Sequence, residues 1–263
     1  MTTAPASQTS APPRPLAGHG TLVTGGSRGI GRAVAARLAA DGAAVVFTYA
    51  SRHTAADDLV DQITADGGWA RALQLDLADP SRFDAVFTAA DQAFSDAGVD
   101  GLTVLVDNAG IMTHAPLDQL GVDEWDRTMA VNARGTFLTV QHAARRMRDG
   151  GRIITISTIG TAWPSPGEAA YAASKAAVEQ ITRVASRELG ARGITANTVS
   201  AGPTDTDLLR AGAPEEALAG AAAMTALGRI GLPDDIADLV SLLAHPDSRW
   251  ITGQNIRADG GLT

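Results

Sequence analysis

Cysteine is absent from the 263-residue chain, which excludes disulfide staples, thiolate catalysis, iron–sulfur clusters and thiol-based zinc sites. No stretch approaches the roughly 18 uninterrupted apolar residues of a membrane span. Met1 to Pro15 lacks the apolar run of a signal peptide, so the expectation is a cytoplasmic protein without a membrane partner. Positive charge is in short supply as well: 21 Lys and Arg face 29 Asp and Glu, for a net charge of −8. The basic residues are scattered along the chain, which disfavours nucleic acid as a partner. His19, His53, His114, His142 and His245 are dispersed without metal-ligand spacing, and no metal site is expected.

What is present is 45% hydrophobic and 19% charged, enough for one sizeable core that buries roughly 75% of the unfolded surface. Residues 1–18, rich in Ala, Ser and Thr with Pro12, Pro13 and Pro15, read as a disordered tail. Residues 19–263 read as a single domain. Short apolar runs at Thr21–Val23, Ala44–Tyr49, Ala70–Leu75, Leu102–Val106, Ile153–Ile156, Ile194–Val199 and Gln254–Ile256 predict seven strands, mostly buried on both faces. Between them, helical spacing appears in Ile30/Val34/Leu38, in Val178/Ile181/Ala185/Leu189 and in Ile236/Leu239/Val240/Leu243. Gly42 marks a helix stop, and Pro233 with Asp234 and Asp235 a helix start. Alternating strands and helices predict an α/β, Rossmann-type, doubly wound parallel sheet of seven strands in three layers, with a ligand at the carboxyl ends of the strands.

Thr24-Gly25-Gly26-Ser27-Arg28-Gly29-Ile30-Gly31 follows the first strand and opens the first helix. Glycines permit a tight turn and close backbone approach, while free N–H groups and the helix dipole favour a diphosphate. Arg32 and Ala33 stand where a phosphate-loop NTPase needs Lys and Ser or Thr. At the end of the second strand, a carboxylate that would hold a ribose 2′-hydroxyl is missing before Asp57. Tyr49 is followed by Ser51 and Arg52, which with Arg28 offer charge-assisted bonds to a 2′-phosphate, so NADPH/NADP+ is predicted over NAD.

Tyr171 and Lys175 are four residues apart and share one helical face. A free phenol, with a pKa of about 10, is a poor acid–base group at neutral pH unless a nearby cation favours the phenolate, which Lys175 and a nicotinamide ring would do.

The glycine motif, Asp107-Asn108-Ala109-Gly110, Asn132, Ser157 and the Tyr171/Lys175 pair stand in the order of the short-chain dehydrogenase/reductase family, which the chain resembles from Gly20 to Thr263. The late Ala201-Gly202-Pro203-Thr204-Asp205-Thr206 loop and Asp259-Gly260-Gly261 extend the likeness. It looks closest to NADPH-dependent 3-oxoacyl-carrier-protein reductases and naphthol-reductase-like ketoreductases. The resemblance implies that Tyr171 donates the proton in carbonyl reduction, that Lys175 binds the nicotinamide ribose and lowers the tyrosine pKa, that Ser157 holds the substrate oxygen, and that Asn132 keeps a relay water. It further implies that Asn108, Ala109 and Gly110 line the cofactor, that Asp76 beside Leu77 contacts the adenine amino group, and that Thr204 and Thr206 after Gly202 reach the carboxamide. A homotetramer is implied too, with the fifth and sixth helices in one interface and the Pro233 helix and last strand in another.

Ser157 lies 14 residues before Tyr171, one more than the commonest spacing in that family, at which Thr158 stands. Ser157 is assigned because Gly160 follows it in the usual Ser-x-x-Gly turn. Asp107 in place of the usual Asn reads as neutral for chemistry, and Ala201 in place of Pro as loosening its loop. His114 reads as an ordinary loop histidine, and residues 207–226 as a mobile lid over a small-molecule carbonyl or alcohol substrate. Two other readings use the same motifs: an NAD-dependent alcohol dehydrogenase working towards oxidation, and a nucleotide-binding regulator without turnover, whose usual mark would be a lost Tyr171 or Lys175.

Replacing Arg52 by Asp is expected to raise the Kd for NADPH far more than that for NADH in a calorimetric titration; equal effects overturn the 2′-phosphate assignment.

Overall fold

The computed structural model describes residues 14–212 and 214–263. Among them, β1 (Gly20–Val23), β2 (Ala44–Tyr49), β3 (Trp69–Gln74), β4 (Leu102–Asp107), β5 (Arg152–Thr158), β6 (Thr195–Ala201) and β7 (Asn255–Ala258) form one parallel sheet. Its order is β3-β2-β1-β4-β5-β6-β7. The predicted seven-stranded parallel sheet is therefore what the chain forms.

Helices cover both faces, and the pleat of the strands divides the core between them. On β2, Val45 and Phe47 join one cluster with Val34 and Leu38 of α1 (Gly29–Ala40), Leu59 of α2 (His53–Ala65) and Ile236 and Val240 of α9 (Pro233–Ala244). Val46 between them faces the other cluster, with Phe83, Phe87 and Phe94 of α3 (Phe83–Asp96), Val140 of α5 (Gly135–Arg146) and Ala185 of α6 (Ala169–Glu188). The remaining helices are α4 (Val122–Thr128), α7 (Asp207–Gly212) and α8 (Glu215–Met224); Arg127 of α4 and Asp207 to Leu209 of α7 reach the carboxyl end of the sheet. Gly42, at φ +101°, ends α1, and Asp235 accepts the Leu232 N–H at 2.6 Å to start α9 after Pro233.

Three expectations need correction. β3 and β7 are not buried on both faces: β3 is half-exposed and β7 alternates, because they are the sheet's two edges. The expected tail, 1–18, reaches too far. Residues 1–13 lie outside the described residues, but Leu16 is buried in the core and its N–H donates to Asp41 O at 2.9 Å, so residues 14–18 close off the α1–β2 turn. β5 is longer than the run Ile153–Ile156. It continues in register with β6, pairing Ser157 with Ser200 and Thr158 with Ala201, so both hydroxyl residues obey the strand's alternation.

Phe47 is fully buried at the end of β2, and a Cβ on Gly26 would lie 2.6 Å from its own Cβ. It is the floor of the glycine turn. Phe47→Ala is expected to lower unfolding stability by about 3–5 kcal/mol in urea titration; a loss below about 1 kcal/mol would mean that the turn does not rest on this ring.

Candidate active site

Strand order reverses between β1 and β4, and their carboxyl ends diverge into a cleft of about 740 Å³. This is where an open parallel sheet takes its ligand, and the volume lies within the range of small-molecule sites.

The near wall is the glycine turn. Gly25 and Gly29 have φ of +68° and +52°, and a Cβ on Gly31 would stand 2.2 Å from Gly25 O, so only glycine lets α1 start this close to the turn. Arg28 occupies the N-cap of α1 and makes no side-chain cap bond. The first N–H groups of the helix, at Gly29, Ile30 and Gly31, have no intrahelical acceptor and stand ready for an anion. Ser27, Arg28, Tyr49, Ser51, Arg52, Asp76, Leu77, Asn108, Ala109, Gly110, Gly202, Thr204 and Thr206 also border the cleft. The cradle thus fits the diphosphate of a dinucleotide.

Thr24 ties that wall to β4. Its hydroxyl donates to Asp107 Oδ1 at 2.9 Å and accepts the N–H groups of Asn108 and Ala109 at 2.9 and 3.1 Å. Asn108 Nδ2 returns bonds to the carbonyls of Thr24 and Gly25 at 3.0 and 3.2 Å. Asp107 accepts a second hydroxyl, from Thr136 of α5. Burial raises its pKa against those bonds and the charge of Lys175. Asp107 touches no part of the cleft wall; it fastens β4 to both the glycine turn and α5.

Arg52 is engaged in a way that its sequence position did not reveal. Its Nη1 pairs with Asp207 Oδ2 of α7 at 3.0 Å, both side chains being more than half exposed at the cleft mouth. Arg28 stands exposed across from it.

The far wall comes from β5, α6 and a π-helical turn, Met129–Arg134, between α4 and α5. That turn holds Asn132, fully buried, whose Oδ1 accepts Ile111 N–H at 2.9 Å and whose Nδ2 donates to Ile111 O at 2.8 Å and Ser174 Oγ at 3.0 Å. Lys175 Nζ donates to Ile156 O at 2.8 Å. Burial lowers the Lys175 pKa, while the charge of Asp107 opposes the shift. A Cβ on Gly110 would meet Asn132 Oδ1 at 3.2 Å and Lys175 Nζ at 3.4 Å, which brings these two predicted residues together.

Two features at the reacting end bear on the sequence expectations. Ser157 and Thr158 alternate on β5 and both border the cleft. Ser157 Oγ donates to Glu179 Oε1 at 2.8 Å, beside Thr161, whose hydroxyl donates to the same oxygen at 2.7 Å. Thr158 is the hydroxyl residue near enough to the Tyr171 phenol to act on its pKa. The tyrosine itself is not shifted towards phenolate. Burial and then the carboxylate of Glu168 push its pKa up to about 12, against the smaller effect of the Thr158 hydroxyl.

Two contributors escaped the sequence reading: Glu168 and Glu179 belong to no motif and act through contacts that only folding creates. Thr24 stood in the glycine motif, but its bonds to the β4 end were not visible there. Lys175, predicted from its spacing to Tyr171, is also the chain's only lysine.

A family model described as enoyl-(acyl carrier protein) reductase matches residues 25–263. An NADPH-dependent aldehyde reductase-like protein from Arabidopsis thaliana is 39% identical, with 97% of this chain and 98% of that protein covered. A short chain dehydrogenase from Burkholderia cenocepacia, solved with NADP, superposes with a TM-score of 0.88 at 41% identity, covering 94% of this chain and 99% of its own. An angucycline C-6 ketoreductase with bound NADP gives 0.89 at 40% identity, covering 94% and 96%.

Tyr49 and Tyr171 are the only tyrosines, so a Tyr49→Phe variant isolates Tyr171 for ultraviolet titration. Little phenolate is expected at pH 10, and Glu168→Gln should move the titration to lower pH, because it removes a charge that opposes ionisation. A midpoint at or below pH 10 in the Tyr49→Phe protein would contradict the electrostatics described.

Proposed function

Because the chain belongs to the short-chain dehydrogenase/reductase family, we propose that its cleft performs NADPH-dependent carbonyl reduction with Tyr171 as proton donor and Thr158, in place of Ser157, as the hydroxyl that holds the substrate oxygen. The protein is an NADP-dependent oxidoreductase; the bound NADP of two solved neighbours and the NADPH-dependent character of the Arabidopsis relative support the cofactor. The observation that carries the proton-donor role is the place of Tyr171, which borders the cleft from α6 one helical turn before Lys175 and beside Ser157 and Thr158. A phenol is protonated at neutral pH, the form that can give a proton to a carbonyl oxygen.

NADPH, when bound, supplies a hydride to the carbonyl carbon. The chain does the rest. Tyr171 gives its phenolic proton to the carbonyl oxygen as C=O becomes CH–OH, and Thr158 steers that oxygen. Asn132 and Lys175, whose polar ends converge on Gly110, line the route by which the phenolate regains a proton. Gly25, Gly29, Ile30 and Gly31 would hold the diphosphate. Arg28, Ser51 and Arg52 would receive the 2′-phosphate, with Arg52 leaving its partner Asp207. Asp76 and Leu77 would border the adenine, and Thr204 and Thr206 the carboxamide. A homotetramer in the cytoplasm completes the reading. Exposed apolar side chains on α5 (Phe137), α6 (Val184) and α9 (Leu242), with Trp250 before β7, support the two interfaces.

Absorbance-monitored consumption of NADPH and NADH against β-keto esters, cyclic and aromatic ketones and quinones tests the assignment. Tyr171→Phe should abolish NADPH turnover. Thr158→Ala should cost on the order of 10²-fold in kcat/KM, and Ser157→Ala less than about 10-fold; the reverse ranking returns the substrate oxygen to Ser157.

A further inference from the structure

Beside the reacting phenol stands a carboxylate that the reaction does not use. Glu168 is at the N-cap of α6, three residues before Tyr171 and on the same side of the helix, and it borders the cleft. Its Oε2 reaches towards the β5 end, where a Cβ on Gly160 would lie 3.2 Å from it and 3.4 Å from Thr158 Oγ1. The carboxylate is thus close to the hydroxyl pair that receives the carbonyl oxygen.

The side chain is partly buried, which raises its pKa, and among the described residues no hydrogen-bond donor reaches it. The only opposing charge acting on it is His114. The segment around His114 clasps the residue before Glu168: Ala115 N–H donates to Gly167 O at 2.9 Å, and a Cβ on Gly167 would touch the His114 ring at 2.7 Å. Glu168 is therefore held in place by backbone contacts while its acceptor oxygens stay free. Met112, Ile159, Trp163 and Leu208 supply an apolar surround at this end of the cleft. The half-buried carboxylate opens onto the cleft, so the donor of a ligand bound there takes the place of water at its oxygens.

We propose that Glu168 is a specificity-determining residue, its carboxylate accepting a hydrogen bond from a neutral hydroxyl carried on the substrate near the reacting carbonyl. This deepens the carbonyl-reductase reading and rests on it. The preferred substrates are hydroxy ketones with an apolar ring or chain. O-methylation removes the donor and leaves the carboxylate unpaired. A carboxylate at the same place on the substrate is rejected by like charge. Sites built to bond a substrate hydroxyl discriminate strongly against analogues that lack it.

Matched tetralones, each bearing a hydroxyl, a methoxy or a carboxylate at one ring position beside an unsubstituted parent, test this with NADPH and the full-length protein. The readout is the ratio of kcat/KM within each enzyme, so a general loss of activity in a variant cancels. The wild type is expected to prefer at least one hydroxy compound over its methoxy partner by about 10-fold or more. Glu168→Leu should bring that ratio close to one, mainly through KM, and Glu168→Gln, which keeps an acceptor oxygen, should restore part of it. An unchanged ratio in Glu168→Leu, or no preference in the wild type, overturns the role of Glu168 while leaving the reductase reading intact. Turnover of ketones outside the tetralone set alone removes the substrate class, and no NADPH consumption with any ketone removes the reductase reading beneath it.

Discussion

The hydroxyl of Thr24 is the joint on which the site depends. It is one atom group with three partners, Asp107, Asn108 N–H and Ala109 N–H, reached across more than 80 residues of chain. By binding them it fixes the separation of β1 and β4 at the point where strand order reverses, which sets the width of the cleft. The glycine turn on one side and the Asn108–Gly110 segment on the other inherit their positions from it. Asp107 shares the constraint. As a buried carboxylate it is tolerable because two hydroxyls donate to it and Lys175 lies near enough to oppose its desolvation.

The architecture was legible because central strands carry short apolar runs, such as Ala44–Phe47 of β2 and Val104–Val106 of β4, and such runs between amphipathic helices leave few alternatives to a doubly wound parallel sheet. The edges were misread although Arg71, Gln74, Gln254 and Asn255 interrupt those segments, because the count of strands was weighed above their alternation, and lateral position is what leaves one side open. Leu16 was lost to a composition argument, since a single buried leucine among prolines and alanines leaves no periodicity. The glycine turn, Tyr171, Lys175 and Asn132 were legible because each role is tied to a residue type at a fixed spacing.

Ser157 and Thr158 show where spacing ceases to inform. Counting residues to Tyr171 or to Gly160 gives opposite answers, because the loop after β5 absorbs a one-residue difference that the strand does not. The pleat sends the two hydroxyls to opposite sides of β5, Ser157 to the side on which Thr155 meets Thr182 of α6, yet both residues border the cleft at the strand's end. The pKa of Tyr171 in the chain without cofactor was likewise not legible from spacing. A cation four residues away on the helix was visible in the sequence, whereas the burial of the phenol and the acidic neighbour at Glu168 emerge only once the loop before α6 folds over it.

The confinement of lysine to position 175 has a consequence for covalent chemistry. An arginine-only surface offers no ε-amine to acylating, carbamylating or glycating agents, because guanidinium groups stay protonated and weakly nucleophilic. Apart from the α-amino group, the one amine of the chain sits at the bottom of the cleft, its Nζ bonded to Ile156 O. Amine-directed modification therefore has a single side-chain target, shielded by the fold and seated in the site itself, so what would be scattered surface damage on an ordinary protein becomes here an all-or-none event at the place where the chemistry is done.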